Sequence, residues 1–401
     1  MKIRKLEIEN FRALRNLNLS FEDSVGDVRP ITVLAGPNGC GKTSVILAIV
    51  QALRGMLGYR TEDVSEPTDL DIHRKSASVV LTKTPLSKMP VQICVRLNIE
   101  FDDTELESIP RIFEDTRDLH REMTPPPLGD GRVSVEWKYP PERSPDGTLK
   151  PSWLPSKIEP RQGYLWFHGR RHAIVGWKNR MLRNGKLLFD VGGICLFPQD
   201  RNLRSRVVGE MVSTHRSAVE TQDEGGDQLA VESKGQPERS IARQKDSVWG
   251  ILQYLGSYSA LRADKVRDED NWEKRIQEQF NQICAPKEYL GFLYQANDPV
   301  GAPYFKEGER IYSLDMAASG EQVIIEYITR LTYPSPTNHS VILIDEPEVH
   351  LHPGWIRQLY RALPRIGNGN QYILTTHSSE LRAMAAEDGA LVDMGDLEGR
   401  A

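Results

Sequence analysis

Ile31 to Val50 reads ITVLAGPNGCGKTSVILAIV, and the way its two halves meet decides the fold. Ile31–Ala35 is a short, continuous apolar run bounded by turn residues, so a strand is predicted there. After Gly41 the apolar residues recur at helical spacing, so a helix follows, with Gly55 and Gly58 marking its end. Between them, Gly36-Pro37-Asn38-Gly39-Cys40-Gly41-Lys42-Thr43 satisfies GxxxxGK(S/T) in the strand-to-helix context the motif needs. Glycines let the backbone curl until successive N–H groups and the helix N-terminus face phosphate oxygens. The nucleotide-contacting residues are therefore expected to be Asn38, Gly39, Gly41, Lys42, Thr43 and Ser44, with Lys42 reaching the β and γ phosphates and Thr43 offering its hydroxyl to Mg²⁺.

A second stretch, ILIDEPEVHLHP from Ile342 to Pro353, ends a buried-strand run in an acidic pair. Asp345 at the strand end has the placement to hold Mg²⁺ through water, and Glu346 to polarise an attacking water. A transition-metal reading would use His350 and His352 instead. They stand two apart, whereas zinc-binding helices favour His four apart as in HExxH.

With 401 residues the chain exceeds a usual single core, so two domains or one domain with large insertions is expected. A net charge of −5 argues against a wholly basic nucleic-acid coat but leaves room for a local basic face. The four cysteines are far apart and form no CxxC pair, which fits neither a disulfide framework nor a cysteine-rich zinc site. No window holds the roughly 18 apolar residues of a membrane span, and the N-terminal MKIRKLEIENFRAL alternates charged and apolar residues. A cytoplasmic location without a membrane partner is expected.

Along the chain, KIRKLEIENFRALRNLNLSF predicts two strands with a turn near Asn10. Residues 61–202 form an expected inserted β-rich lobe, built from pieces such as VQICVRLNIEF and RVSVEWKY and crossed by the Pro-rich connector PPERSPDGTLKPSWLPSKIEP. Residues 203–246 have a mobile-loop composition, and 247–285 carry two helical segments of a helical subdomain. After a hairpin near GFLYQANDPVGAPYF, helix and strand alternate as far as the strand QYILTTH, which implies a parallel sheet covered by helices. Residues 1–60 and 286–401 are accordingly expected to form the nucleotide-binding core of an α/β fold. The basic run HGRRHAIVGWKNRMLRNGK, with Arg170, Arg171, Lys178, Arg180, Arg183 and Lys186, reads either as a nucleic-acid contact or as a solvated sheet face.

Five motifs in order resemble the ABC-type ATPases of the branch that includes RecF, the structural-maintenance-of-chromosomes proteins and the OLD ATPases. They are Asn10-Phe11-Arg12, the phosphate loop, the signature-like ASGEQ at Ala318–Gln322, ILIDEPEVHLHP, and TTHS at Thr375–Ser378. The DEPEVHLHP form in particular resembles ATPase subunits of bacterial antiphage defence. The resemblance implies an ABC-ATPase head that forms an ATP-sandwich homodimer or higher homo-oligomer, with ATP and Mg²⁺ as cofactors. It makes Asp345 the Mg²⁺ carboxylate, Glu346 the general base, His377 the γ-phosphate sensor and Arg12 a basic phosphate contact. Gln199 in LFPQDRNL is the candidate for the Q-loop that reaches Mg²⁺, with an ordinary surface glutamine as the alternative reading, and Ser319, Gly320 and Glu321 fall on the signature.

Ala318 stands where that signature usually has serine, so slow or partner-stimulated turnover is expected. OLD proteins carry a nuclease domain after the ATPase; no Glu followed by a DxD strand appears after His377, so the resemblance leads to the expectation of a separately encoded nuclease or toxin effector. The resemblance implies a sensor or regulatory ATPase in phage defence, with nucleic acid as a further candidate partner. RecF-like DNA repair and an ATP-dependent scaffold that hardly hydrolyses are the alternatives.

Overall fold

The computed structural model describes residues 1–56, 92–115, 131–139, 153–155, 194–199, 248–261, 271–295, 298–332 and 338–395. The expected loop at 203–246 and the basic run at 170–186 lie outside the described residues. The chain divides into two compact units. The first comprises Met1–Ile194, Asn338–Glu346 and Gly369–Ala401, the second Cys195–Thr337 and Pro347–Asn368.

Among its described residues the first unit holds two sheets. Its strands are β1 (Lys2–Phe11), β2 (Leu14–Ser20), β3 (Ile31–Ala35), β4 (Ile93–Glu100), β5 (Arg132–Tyr139) and β6 (Trp153–Pro155). Helix α1 (Lys42–Met56) follows β3, and α2 (Asp103–Asp115) follows β4. An antiparallel sheet runs β2-β1-β4-β5-β6. Its apolar positions, among them Ile8, Leu17, Val95 and Trp137, are buried, while Glu9, Asn16, Arg96 and Glu136 alternate with them, as half-buried strands require. The β1–β2 turn lies at Arg12-Ala13, closed by the Phe11–Leu14 pair, two residues beyond the turn expected at Asn10. Of the Pro-rich connector the described residues are those of β6, at the sheet edge, where proline is tolerated.

The second sheet uses β3, β11 (Val341–Asp345), β12 (Gln371–Thr376) and β13 (Leu391–Asp393), with α7 (Ser379–Glu387) after β12. These strands are mutually parallel in the order β13-β3-β12-β11. Every residue of β3, β11 and β12 is buried, which explains their unbroken apolar reading. Because the strands are parallel, Ala35, Asp345 and Thr376 all finish at one edge of the sheet. Register sharpens this: Asp345 pairs with Thr375, and Thr375 with Leu34. Carboxyl ends of parallel strands are where such sheets bind ligands.

The second unit contains β7 (Ile194–Phe197) from Cys195 onward, α3 (Val248–Leu261), α4 (Trp272–Cys284), α5 (Ser319–Thr332) and α6 (Pro353–Ala362). Strands β8 (Glu288–Gln295), β9 (Asp298–Glu307) and β10 (Arg310–Ser313) make an antiparallel sheet in the order β10-β9-β8. Its core is aromatic: Phe280 of α4 packs on Phe305 with ring centroids 5.1 Å apart, and Phe305 stacks on Tyr312 at 5.9 Å. Residues 286–332 thus fold with the helices of 248–284, whereas the sequence grouped 286–401 with the N-terminal core. The sequence could not register this, because an apolar strand face does not specify which helix will cover it.

Candidate functional site

At the sheet edge, β3 gives way to the glycine-rich loop and then to α1. Gly39 and Gly41 have φ of +83° and +95°, a region glycine enters without a Cβ clash. A Cβ on Gly41 would stand 2.4 Å from Leu14 Cδ2, so Leu14 of β2 packs directly on the loop. That contact brings the hairpin tip, with exposed Arg12 at φ +55°, beside the loop. Asn38 and Gly39 are exposed at the loop crest and Ser44 is buried in the first turn of α1. Lys42 is buried, and its ammonium donates to the Gly36 and Pro37 carbonyls at 3.0 Å each.

Thr43 and Asp345, 302 residues apart in sequence, meet here: the Thr43 hydroxyl donates to the Asp345 carboxylate at 3.1 Å. Asp345 is 4% exposed, so its orientation is held by a second donor, the Thr375 hydroxyl. Thr375 in turn accepts the Glu346 backbone N–H at 3.0 Å. A hydroxyl and a carboxylate converging in this way fit Mg²⁺, a hard cation that takes one or two protein oxygens and completes its shell with phosphate and water. Glu346 sits just past the strand at φ +50°, a conformation that is strained for a residue with a side chain. Its carboxylate lies 3.3 Å from His377 Nε2, with Glu346 16% and His377 35% exposed. The edge therefore carries an oxygen pair suited to a cation, a loop suited to phosphate, and a carboxylate–imidazole pair open to solvent.

In the second unit the signature-like residues begin α5. Ser319 and Ala318 are exposed. Glu321 is 1% exposed, and its carboxylate accepts the Ala318 N–H at 2.9 Å, the Tyr312 hydroxyl at 3.0 Å and the Lys287 ammonium. Its oxygens are thus engaged within the chain, which makes it a brace for the turn. His352 caps α6: its Nδ1 accepts the Gly354 N–H at 3.2 Å. This accounts for one of the two histidines on which a transition-metal reading of DEPEVHLHP relied. Gln199 is exposed at a bend directly after β7.

Thr375, Leu14, Lys287 and Tyr312 were not singled out from sequence. Thr375 carried a signal, since it precedes His377 by two residues in the TTHS motif, but its partnership with Asp345 depends on strand register.

Two family models match the chain. One, described as an AAA ATPase domain, matches residues 1–191; the other, described as an AAA domain, putative AbiEii toxin, Type IV TA system, matches residues 237–383. The Septu protein PtuA of Bacillus mycoides (strain KBAB4) is 32% identical over 96 residues, which span 24% of this chain and 13% of that protein. Among solved structures, an Smc head bound to the C-terminal winged-helix domain of ScpA aligns over 96% of this chain and 92% of its own, at 13% identity and a TM-score of 0.49. An SMC head domain from Thermotoga maritima aligns over 96% and 92%, at 12% identity and a TM-score of 0.39.

Proposed function

We propose that this AAA-type ATPase, which resembles the ATPases of antiphage defence, hydrolyses ATP between two copies of itself and thereby controls a separately encoded effector. The observation that carries the reading is the convergence of Thr43, Asp345, Thr375, Glu346 and His377 at the ends of three strands. In this reading Lys42 leaves the loop carbonyls to meet the β and γ phosphates, while the loop N–H groups hold the remaining oxygens. Thr43 and Asp345 would hold Mg²⁺, which would supply neutralisation of phosphate charge there. Glu346 accepts a proton from the attacking water, and His377 contacts the γ-phosphate and orients the Glu346 carboxylate. Ser319 and the first-turn N–H groups of α5, which helix geometry leaves without intrahelical acceptors, face the γ-phosphate bound by the second copy. Arg12, at the hairpin tip next to the loop, adds a further phosphate contact.

One observation favours slow turnover. Ala318 has no hydroxyl to offer, and its N–H is committed to Glu321, so the trans contact rests on Ser319 and Gly320. This keeps a second reading in play, a scaffold that assembles on ATP and hardly hydrolyses it.

Light scattering of Glu346→Gln with and without Mg·ATP tests the proposal. The variant should bind nucleotide, double its mass on binding and lose turnover by about 10²-fold or more, the usual worth of a general base. Wild-type turnover in Glu346→Gln would remove the assignment of the base. Binding with an unchanged mass would remove the shared site.

A further inference from the structure

We infer that Lys287 and Tyr312 are positioning residues for the signature turn, acting through the buried carboxylate of Glu321 and tying that turn to the segment that follows the acidic pair. The inference rests on the ATP-sandwich reading for its catalytic consequence, but its geometry stands within one unit of the fold.

Three groups converge on Glu321. The Lys287 ammonium and the Tyr312 hydroxyl approach Oε1, and the Ala318 N–H donates to Oε2. Glu321 stands three residues after Ala318, the arrangement in which an acidic side chain reaches back to cap the start of its own helix. Here the cap is buried, so its charge needs a partner, and Lys287 supplies it. Burial works against the Lys287 charge, yet the Glu321 and Glu307 carboxylates outweigh it and hold its pKa above the ordinary lysine value. Glu307 lies 3.3 Å from the same ammonium, and the Trp355 ring centroid of α6 lies 5.8 Å from it. Lys287 therefore touches the signature turn, the β9 end and α6 at once.

Gly320 completes the link. A Cβ on this residue would stand 2.7 Å from the His350 carbonyl oxygen and 3.1 Å from Trp355 Cζ3. Only glycine lets the first turn of α5 lie this close to the backbone of EVHLHP. The Gln322 amide adds two bonds to the Leu314 and Ala317 carbonyls, at 3.1 and 3.2 Å, which fix the approach to the turn. Ser319 is left exposed on a first turn whose neighbours Ala318, Gly320, Glu321 and Gln322 make the contacts above. A turn braced in this way needs no reordering when it meets a phosphate, which is how preorganised donors gain their effect.

The test compares Lys287→Ala, Lys287→Arg and Tyr312→Phe with the wild type, with Glu346→Gln as the reference for the underlying reading. Lys287→Ala should lower kcat about tenfold or more with KM for ATP within about twofold, the pattern of an interaction that serves the transition state rather than binding. Lys287→Arg should restore most of the loss, and Tyr312→Phe should show a smaller change of the same kind. Independently of turnover, amide hydrogen exchange over residues 314–322 should quicken in Lys287→Ala and Tyr312→Phe, while exchange in β3 and β11 stays as in the wild type. Unchanged exchange at 314–322 in both variants would overturn the inference, whatever the ATPase does. Normal kcat in Lys287→Ala alongside a dead Glu346→Gln would overturn its catalytic consequence and leave the ATPase reading intact. Activity in Glu346→Gln would instead strike the reading itself. If Lys287→Ala fails to fold, Tyr312→Phe carries the test, because it removes only a hydroxyl and keeps the ring against Phe305.

Discussion

At Gly41 the backbone takes φ +95°, and Leu14 fills the space a side chain would need. Gly41→Ala therefore meets both a left-handed backbone and a methyl-on-methyl clash, and should lose about 1–2 kcal/mol of stability. Because Leu14 is the flexible party, it should move off the loop, and fluorescent-nucleotide titration should show weaker ATP binding. Denaturant midpoints and binding matching the wild type would mean that Leu14 does not shape the loop. Glu346 presents the opposite case, a carboxylate kept at φ +50° where glycine would be relaxed. Sequence marked both residues, Gly41 by the motif and Glu346 by its place after Asp345. It could not show that one is guarded by Leu14 and the other strained, since both facts arise from segments distant in the chain.

At the scale of elements, the parallel strands were legible because β3, β11 and β12 are buried on both faces and so read as apolar runs. Helix α2 was not read, because Pro110 lies inside it and breaks the helical pattern. What starts α2 is Asp102, whose carboxylate accepts the Glu105 N–H at 3.0 Å and a hydrogen bond from His339 Nδ1 just before β11. Burial alone would raise the Asp102 pKa, but the His339 and Glu105 hydrogen bonds prevail and bring it from 3.8 to about 2. A depressed carboxylate pKa stabilises the fold above its unfolded value, and that stability is lost as pH falls through the folded one. Asp102→Asn keeps an acceptor for the cap and removes the charge. It should cost about 1–2 kcal/mol at neutral pH, and the difference should fade between pH 3.8 and about 2. Urea unfolding at a series of pH values checks this, and a difference that persists at the acid end would exclude the Asp102 charge as its source. Strand β13 was also missed: three residues are too few to show a period, and only pairing with β3 makes them a strand.

For the molecule as a whole, ligand linkage gives a test that needs no catalysis. Mg·ATP at 100 times its Kd should stabilise Glu346→Gln by about 2.7 kcal/mol, read as a rise in Tm. The same addition should leave Lys42→Ala unmoved, because its loop lacks the ammonium proposed to meet the phosphates. A matching rise in Lys42→Ala would put the nucleotide somewhere other than this loop. Among the described residues no helix is long and apolar enough to cross a membrane, and the four cysteines are free.

Sequence by itself determined the glycine-rich loop, the acidic pair, the strand and helix beside each, and their order along the chain. It could do so because each is written in neighbouring residues: glycine spacing, apolar runs and turn chemistry act over a few positions. Tertiary structure alone decided that Thr43 meets Asp345, that Thr375 orients both Asp345 and Glu346, that Leu14 backs Gly41, and that Glu321 is a buried brace held by Lys287 and Tyr312. Each of those depends on strand register or on which face packs against which. Such choices are set by burial and hydrogen bonding between segments tens to hundreds of residues apart, where no local pattern records the partner.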